Sequence, residues 1–346
     1  MKLEEDTKLD YSDVLIRPKR STLSSRSQVD LTRTIKFPNS NQTWTGVPII
    51  AANMDTIGTF NVYKALSKHK IITAFHKFYT PEQYKEMSDQ LDPNYFMVST
   101  GISSNDYNKL HDILNAIDVK FVCIDIANGY MESLLDFCIK VRENFPDKIL
   151  VAGNVVTREI TEELIIRGKV DIVKVGIGPG SACTTRTQTG VGMPQLSAVM
   201  ECADAAHGTS RGYIIGDGGI TCPGDVAKGF GGGADFIMMG GQFSGHDENP
   251  GDVIEDPKTK EKFKEFYGMS SETAMNKHYG KMATYRSSEG RTLRVKYKGP
   301  IENTVNSFLG GLRSTCTYIN AHTIKNIPKC VTFVKVNRQL NTTLVR

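Results

Sequence analysis

The chain has 346 residues, 39% hydrophobic and 23% charged, with a formal net charge of +4, the proportions of an ordinary globular protein. So mild a positive charge suits an anionic small substrate, but it lacks the clustered Lys and Arg of a nucleic-acid footprint, and no run of about 18 apolar residues argues for a membrane span. The acidic start MKLEEDTKLDYSD is not a secretory signal, and seven cysteines without a C-x-x-C pair read as reduced thiols of a cytoplasmic protein, not as disulfides or zinc ligands.

Residues 1–46 precede the first strand candidate and are expected to pack against the domain; the short basic run Arg17, Lys19, Arg20 reads as a solvated turn. Eight apolar segments then recur: VPIIAAN from Val47, IITAFHK from Ile71, FMVSTG from Phe96, FVCIDIANG from Phe121, KILVAGN from Lys148, DIVKVGIGPG from Asp171, YIIGDGG from Tyr213 and ADFIMMGG from Ala234. Each is rich in apolar residues and runs into a polar or glycine-bearing turn, with room for one helix between most pairs. This is the order of a (β/α)8 barrel in one domain over 1–346, whose chemistry belongs at the strand C-termini.

After Pro194, residues Leu196, Val199, Met200, Ala203 and Ala206 fall at helical spacing. Beyond the eighth segment, 243–300 is polar with scattered Gly and Ser, and is expected to be a long flap over the barrel mouth. Within it, Tyr267-Gly268-Met269-Ser270-Ser271-Glu272 reads as a turn into a short helix with a serine cap. Helical spacing resumes at Ile301, Val305, Phe308, Leu309 and Leu312, the expected last barrel helix.

The richest segment follows the sixth strand: Gly176-Ile177-Gly178-Pro179-Gly180-Ser181-Ala182-Cys183-Thr184-Thr185-Arg186. Its glycines and proline make a tight turn open to a ligand. Ser181 can hydrogen-bond a phosphate, and Cys183 is a nucleophile candidate with the charge of Arg186 three residues on. The other six cysteines read as buried structural thiols. Two glycine turns, Asp217-Gly218-Gly219 and Gly240-Gly241, follow strands seven and eight, the usual phosphate site of this fold. Asp217 can accept ribose hydroxyls. Gly229-Phe230-Gly231-Gly232-Gly233-Ala234 matches the dinucleotide fingerprint literally, but it precedes a strand instead of following one, so no Rossmann site is expected.

The strings GIGPGSACTTR, IIGDGGI, MMGGQFSG, YGMSSETAM and YRSSEGR, in that order, resemble the purine-nucleotide barrel family of IMP dehydrogenase and GMP reductase. The resemblance extends from LDYSDVLIRPKRSTLSSRS through VPIIAANMDT and ANGY to LGGLRSTCTY. The strand candidates are separated by short gaps, without the large regulatory insert usual in the dehydrogenases, and the flap carries YRSSEG in place of their Arg-Tyr pair. The resemblance therefore implies the reductase branch: NADPH-dependent reductive deamination of GMP to IMP and ammonia. Its alternative is an IMP dehydrogenase lacking the insert. A purine-sensing relative without activity need not keep Cys183, Thr185 and Glu289 together, and the cysteine loop argues against an unrelated phosphosugar enzyme.

By that resemblance, Cys183 attacks C2 of guanine, while Thr185 and Glu289 pass a proton to the departing amine. The phosphate lies on Ser181, Gly219, Gly240, Gly241 and Tyr267, with Gly218 in the same turn, and Asp217 holds the ribose. Gly268, Met269, Ser270, Arg286, Ser287, Ser288 and Gly290 surround the base. NADPH contacts fall on Ser25, Arg26, Lys77, Asp125, Ile126, Ala127, Ile177, Gly178, Tyr285, Arg286, Ser314 and Thr315, with Arg26 and Lys77 facing its extra phosphate. A potassium ion is expected on the backbone of Gly178, Gly180 and Cys183 with help from Arg186. A homotetramer is implied, whose cofactor contacts can cross a subunit boundary.

Overall fold

The computed structural model describes residues 3–280 and 287–337. Eight parallel strands close into a barrel: β1 (Ile49–Ala51), β2 (Ile72–Phe75), β3 (Phe96–Thr100), β4 (Phe121–Asp125), β5 (Ile149–Val155), β6 (Ile172–Val175), β7 (Tyr213–Asp217) and β8 (Phe236–Met239). Each of the eight apolar segments supplies one of them. Closure is made by β8 against β1, with Ile237 opposite Ile49 and Met238 opposite Ile50.

The strands are apolar throughout because both faces are covered. Along β4, Phe121 and Cys123 belong to the barrel interior with Met97, Ile149 and Ile215, while Val122 and Ile124 belong to the outer layer beneath the helices. That layer is closed by α1 (Phe60–Leu66), α2 (Pro81–Met87), α3 (Ser104–Ala116), α4 (Glu132–Asn144), α5 (Arg158–Ile166), α6 (Gln195–Gly208), α7 (Pro223–Gly231) and α8 (Ile301–Ile319). Their starts are legible. Thr80 and Gln83 form a capping box ahead of Pro81, and Ser103 and Asp106 another. The helices expected after Pro194 and from Ile301 are α6 and α8. The glycines of the false fingerprint end α7 and lead into β8.

The N-terminal segment packs as a plug. Strands Arg33–Phe37 and Gln42–Gly46 form a hairpin whose Ile35, Phe37 and Trp44 share a cluster with the barrel interior. Trp44 lies 5.1 Å from Phe236 and 6.4 Å from Phe121, and its indole N–H donates to the Asn94 carbonyl at 2.8 Å. Val14–Ile16 pairs antiparallel with Phe333–Lys335.

Segment 243–300 carries more regular structure than its polar composition suggests. Ile254–Glu255, Lys262–Tyr267 and Thr292–Lys296 form an antiparallel sheet. The charged residues hide the pattern: Lys262 and Glu265 are exposed, whereas Lys264, Phe266 and Tyr267 are buried. Lys264 is accommodated by donating its ammonium to the Asn249 carbonyl at 2.7 Å. The serine-capped helix is present as Glu272–Tyr279, with Ser271 accepting from the Ala274 N–H.

Candidate active site

A cavity of about 640 Å³ opens at the C-terminal ends of the strands, under the flap. Cys183 lies on its wall, half-buried, in the turn between β6 and a one-turn helix Thr185–Thr189. Its thiol donates to the Thr185 hydroxyl at 3.2 Å, which donates to the Glu289 carboxylate at 2.7 Å. All three residues line the cavity. A sulfur nucleophile is thus joined to a carboxylate through one hydroxyl, an arrangement that can move a proton along two hydrogen bonds.

The flap is stitched to the cysteine loop by its backbone. Thr184 N–H donates to the Glu289 carbonyl at 2.8 Å and Arg291 N–H to the Ala182 carbonyl at 2.9 Å, while Cys183 and Gly290 form an antiparallel bridge. Glu289 N–H donates to the Ser270 carbonyl at 3.2 Å, and the Arg291 guanidinium donates to the Ser181 carbonyl at 2.8 and 3.0 Å. Glu289 is therefore set by main-chain pairing and not by its own side chain alone.

One wall gathers the residues expected at the substrate. Ser181, Asp217, Gly218, Gly219, Gly240, Gly241, Gly268, Met269 and Ser270 all line the cavity. Gly218 and Gly219 have φ of 86° and 78°, a conformation that favours glycine, and the Gly218 N–H donates to the Met238 carbonyl at 3.2 Å. Gly241 serves by closeness instead: a Cβ there would meet the Ser181 hydroxyl at 3.0 Å. Ser287, Ser288, Gly290 and Tyr267 are not in the cavity wall. Ser287 donates to the Gln188 side chain and Ser288 to the Gly290 carbonyl. Tyr267 is 6% exposed and donates its hydroxyl to Asp55 at 2.8 Å. Tyr285 and Arg286 lie outside the described residues.

That Asp55 carboxylate ties flap to barrel. Its Oδ2 also accepts from Lys277 at 2.8 Å and His278 at 2.7 Å, and the His278 ring stacks on Phe78 at 3.5 Å. Burial would raise the Asp55 pKa, but the bonds from Lys277, His278 and Tyr267 outweigh it and hold the carboxyl below its ordinary value. Of this cluster only Tyr267 is among the site residues expected from sequence; Asp55, Lys277 and His278 are not.

The cavity is also lined by Lys77, Asp125, Ile126 and Ala127, at the ends of β2 and β4, and by Ile177 and Gly178 at the start of the cysteine loop. The Lys77 ammonium lies 5.8 Å from the Phe78 ring and 5.9 Å from that of Tyr279, and Lys109, which is not in the cavity wall, donates to the Lys77 carbonyl. Ser25, Arg26, Ser314 and Thr315 lie elsewhere. The Arg26–Gln28 turn, capped by Ser25, packs on α8, which carries Ser314 and Thr315, and none of the four lines the cavity.

At the barrel axis sits Lys174 of β6, 4% exposed. Its ammonium donates to Asp217 Oδ2 at 2.5 Å and to the Asn154 side-chain oxygen at 2.9 Å, and reaches Asp125 Oδ1 at 3.4 Å. Asn154 donates to the same Asp217 oxygen at 2.8 Å, and Asn53 donates to Asp125 Oδ2 at 2.6 Å. Burial alone would depress the Lys174 pKa, but the facing carboxylates of Asp125 and Asp217 outweigh it and raise it. The sequence signal was present: along D-I-V-K-V, Ile172 points inward and Val173 outward, so period two turns Lys174 into the barrel.

In the cysteine loop, the Gly180 carbonyl accepts from the Cys183 N–H at 3.0 Å and the Arg186 carbonyl from Gly190 at 3.1 Å. The Arg186 side chain packs over Gly178, and its guanidinium donates to the Met193 carbonyl at 2.6 Å and to Asp10 at 3.3 Å. Of the other cysteines, Cys123, Cys138, Cys202 and Cys316 are buried, and burial pushes each thiol up to about 12. Cys330 is half-buried and Cys222 exposed, so the expectation of buried thiols holds for four of the six.

Residues 8–341 match the model of the IMP dehydrogenase / GMP reductase domain. The chain belongs to the IMP dehydrogenase / GMP reductase family. It is 56% identical to GMP reductase 2 of Bos taurus over 342 residues, which is 98% of this chain and 97% of that protein. It is 55% identical to GMP reductase 1 of Mus musculus over 344 residues, 99% of each chain, and 55% identical to GMP reductase of Photobacterium profundum over 345 residues, 99% of this chain and 98% of the relative. Among the described residues, no helix is long and apolar enough to cross a membrane.

Proposed function

We infer that this chain is a GMP reductase, converting GMP to IMP and ammonia with reducing equivalents from NADPH. The observation that carries the reading is the Cys183–Thr185–Glu289 hydrogen-bond chain at the cavity wall, in a protein 55–56% identical to proteins named GMP reductase.

The residues divide the chemistry as follows. Cys183 gives up its proton toward Thr185 and Glu289, and its sulfur bonds to C2 of guanine, which becomes tetrahedral. Glu289, through Thr185, returns a proton to the exocyclic amine, a poor leaving group until protonated, and the C2–N bond breaks to release ammonia. The covalent adduct on Cys183 persists until hydride reaches C2, after which the C2–S bond breaks, the thiolate departs and IMP is free. Ser181 with the N–H groups of Gly219, Gly240 and Gly241 suits a phosphate. Asp217 takes the ribose, and Met269 and Ser270 border the base.

When bound, NADPH supplies the hydride. The wall bearing Lys77, Asp125, Ile126, Ala127, Ile177 and Gly178 fits it: apolar side chains, an acidic group for hydroxyls, and the Lys77 cation for a phosphate-rich ligand. Ser25, Arg26, Ser314 and Thr315 fit only as contacts offered to another copy, which accords with a homotetramer. Potassium suits the hard carbonyl oxygens of Gly178, Gly180 and Cys183; Arg186 fits as support for the loop, since a guanidinium cannot ligate a cation. The cytoplasm is the proposed compartment, because a thiol nucleophile must stay reduced.

Intact-mass analysis tests the covalent step. Protein incubated with GMP gains the mass of GMP less ammonia, and Cys183→Ala does not; absence of that adduct, with turnover retained in Cys183→Ala, overturns the mechanism. The dehydrogenase alternative shares Cys183 and Thr185 and predicts NADH formation from IMP and NAD.

A further inference from the structure

We propose that Lys174 is a positioning residue that sets substrate selectivity by aiming Asp217 at the nucleotide's ribose hydroxyls; the proposal deepens the reading of Asp217 as the ribose acceptor. Both hydrogen bonds to the Asp217 carboxylate, from Lys174 at 2.5 Å and Asn154 at 2.8 Å, fall on Oδ2. Asp217 lines the cavity, so Oδ1 is the oxygen left for a ligand. A carboxylate clamped on one oxygen by a buried ammonium and an amide cannot turn freely, and its free oxygen is pre-organised for a hydroxyl.

The same ammonium reaches Asp125 at 3.4 Å, and Asn53 holds the other Asp125 oxygen at 2.6 Å. Lys174 is thus a counter-ion shared by Asp125 and Asp217, and without it two neighbouring half-buried carboxylates keep only the amides of Asn53 and Asn154 as donors and have no cation between them. Arginine and methionine at this position then have different consequences. The first keeps the charge. The second leaves Asp217 held by Asn154 alone and free to turn about that single bond.

The test is calorimetric binding of GMP and of 2′-deoxy-GMP to the protein without cofactor, so the readout does not depend on turnover. The wild type binds GMP roughly tenfold or more tightly than the deoxy analogue, because an acceptor that loses its hydroxyl is left unpaired. In Lys174→Met this preference falls to within about twofold, and in Lys174→Arg much of it returns. Because Lys174→Met strands two carboxylates and can fail to fold, the double variant Lys174→Met with Asp125→Asn, which removes one of them, is measured beside Asp125→Asn alone. A merely structural role would lower the melting temperature or the binding-competent fraction and leave the preference intact. A folded variant lacking Lys174 that keeps the wild-type preference overturns the proposal. A wild type that does not distinguish the two nucleotides instead refutes the assignment of Asp217 to the ribose, so the two failures are told apart.

Discussion

The Thr185 hydroxyl and the Glu289 carboxylate are 2.7 Å apart although 104 residues separate them in the chain. The contact exists because the flap strand beginning at Thr292 is preceded by a strap, Ser288 to Arg291, that pairs with the cysteine loop through main-chain bonds. A carboxylate at this distance serves proton transfer and has no evident role in hydride transfer. Glu289→Gln keeps the shape and loses the base. Single-turnover kinetics should show ammonia release slowed about 10²-fold or more, with the hydride step slowed much less. Equal slowing of both steps assigns Glu289 to flap positioning.

Cys183→Ala should abolish turnover and leave GMP affinity within a few fold, since Ser181, Gly219 and Gly241 lie on the wall independently of the thiol. Equilibrium binding beside the absorbance assay checks this; retained turnover removes the covalent step.

Asp55→Asn tests the link between flap and barrel. One buried carboxylate oxygen accepts from Tyr267, Lys277 and His278, and charge-assisted bonds of this kind contribute about 1.5–3 kcal/mol each. Hydrogen exchange in helix Glu272–Tyr279 should quicken by roughly tenfold or more while the barrel strands keep their protection. Unchanged protection there would mean that the main-chain strap alone holds the flap.

His76 gives a pH dependence. Burial, opposed by nearby Asp55 and reinforced by His278 and Lys277, lowers its pKa from 6.5 to about 4, and the ring stacks on Tyr79 at 4.0 Å. The unfolded chain therefore binds a proton between pH 6.5 and about 4 that the folded chain refuses. This contribution to stability is whole above pH 6.5, falls by at most about 1.4 kcal/mol per pH unit on acidification, and is gone below about 4. Urea midpoints of His76→Gln should fall less steeply than wild type over this window; parallel curves contradict the assignment.

At the opposite end of the barrel, Trp44→Ala removes a ring that is 1% exposed and packed on Phe121 and Phe236. The expected cost is about 3–5 kcal/mol by denaturant unfolding, with turnover per folded molecule unchanged because the bottom face carries stability and not chemistry.

The barrel was legible because a parallel sheet buried on both faces writes itself as repeated apolar runs, and each run ended in the turn that carries a wall of the cavity. Cys183 and the glycines of 218–219 were legible for the same reason: they occupy strand ends and announce tight turns. The flap sheet was not, since Lys262 and Glu265 face solvent and Lys264 is buried only through its bond to Asn249. Lys174 and Asp55 were missed because their meaning lies in partners from other strands and from the flap, at separations no local pattern encodes.

The central claim is tested most directly by mixing the purified protein with GMP and NADPH and following nicotinamide absorbance together with ammonia. The account predicts NADPH oxidation with one ammonia released per NADPH consumed. No reaction with that pair, alongside NADH formation from IMP and NAD, would contradict it and make the protein a dehydrogenase of the same family.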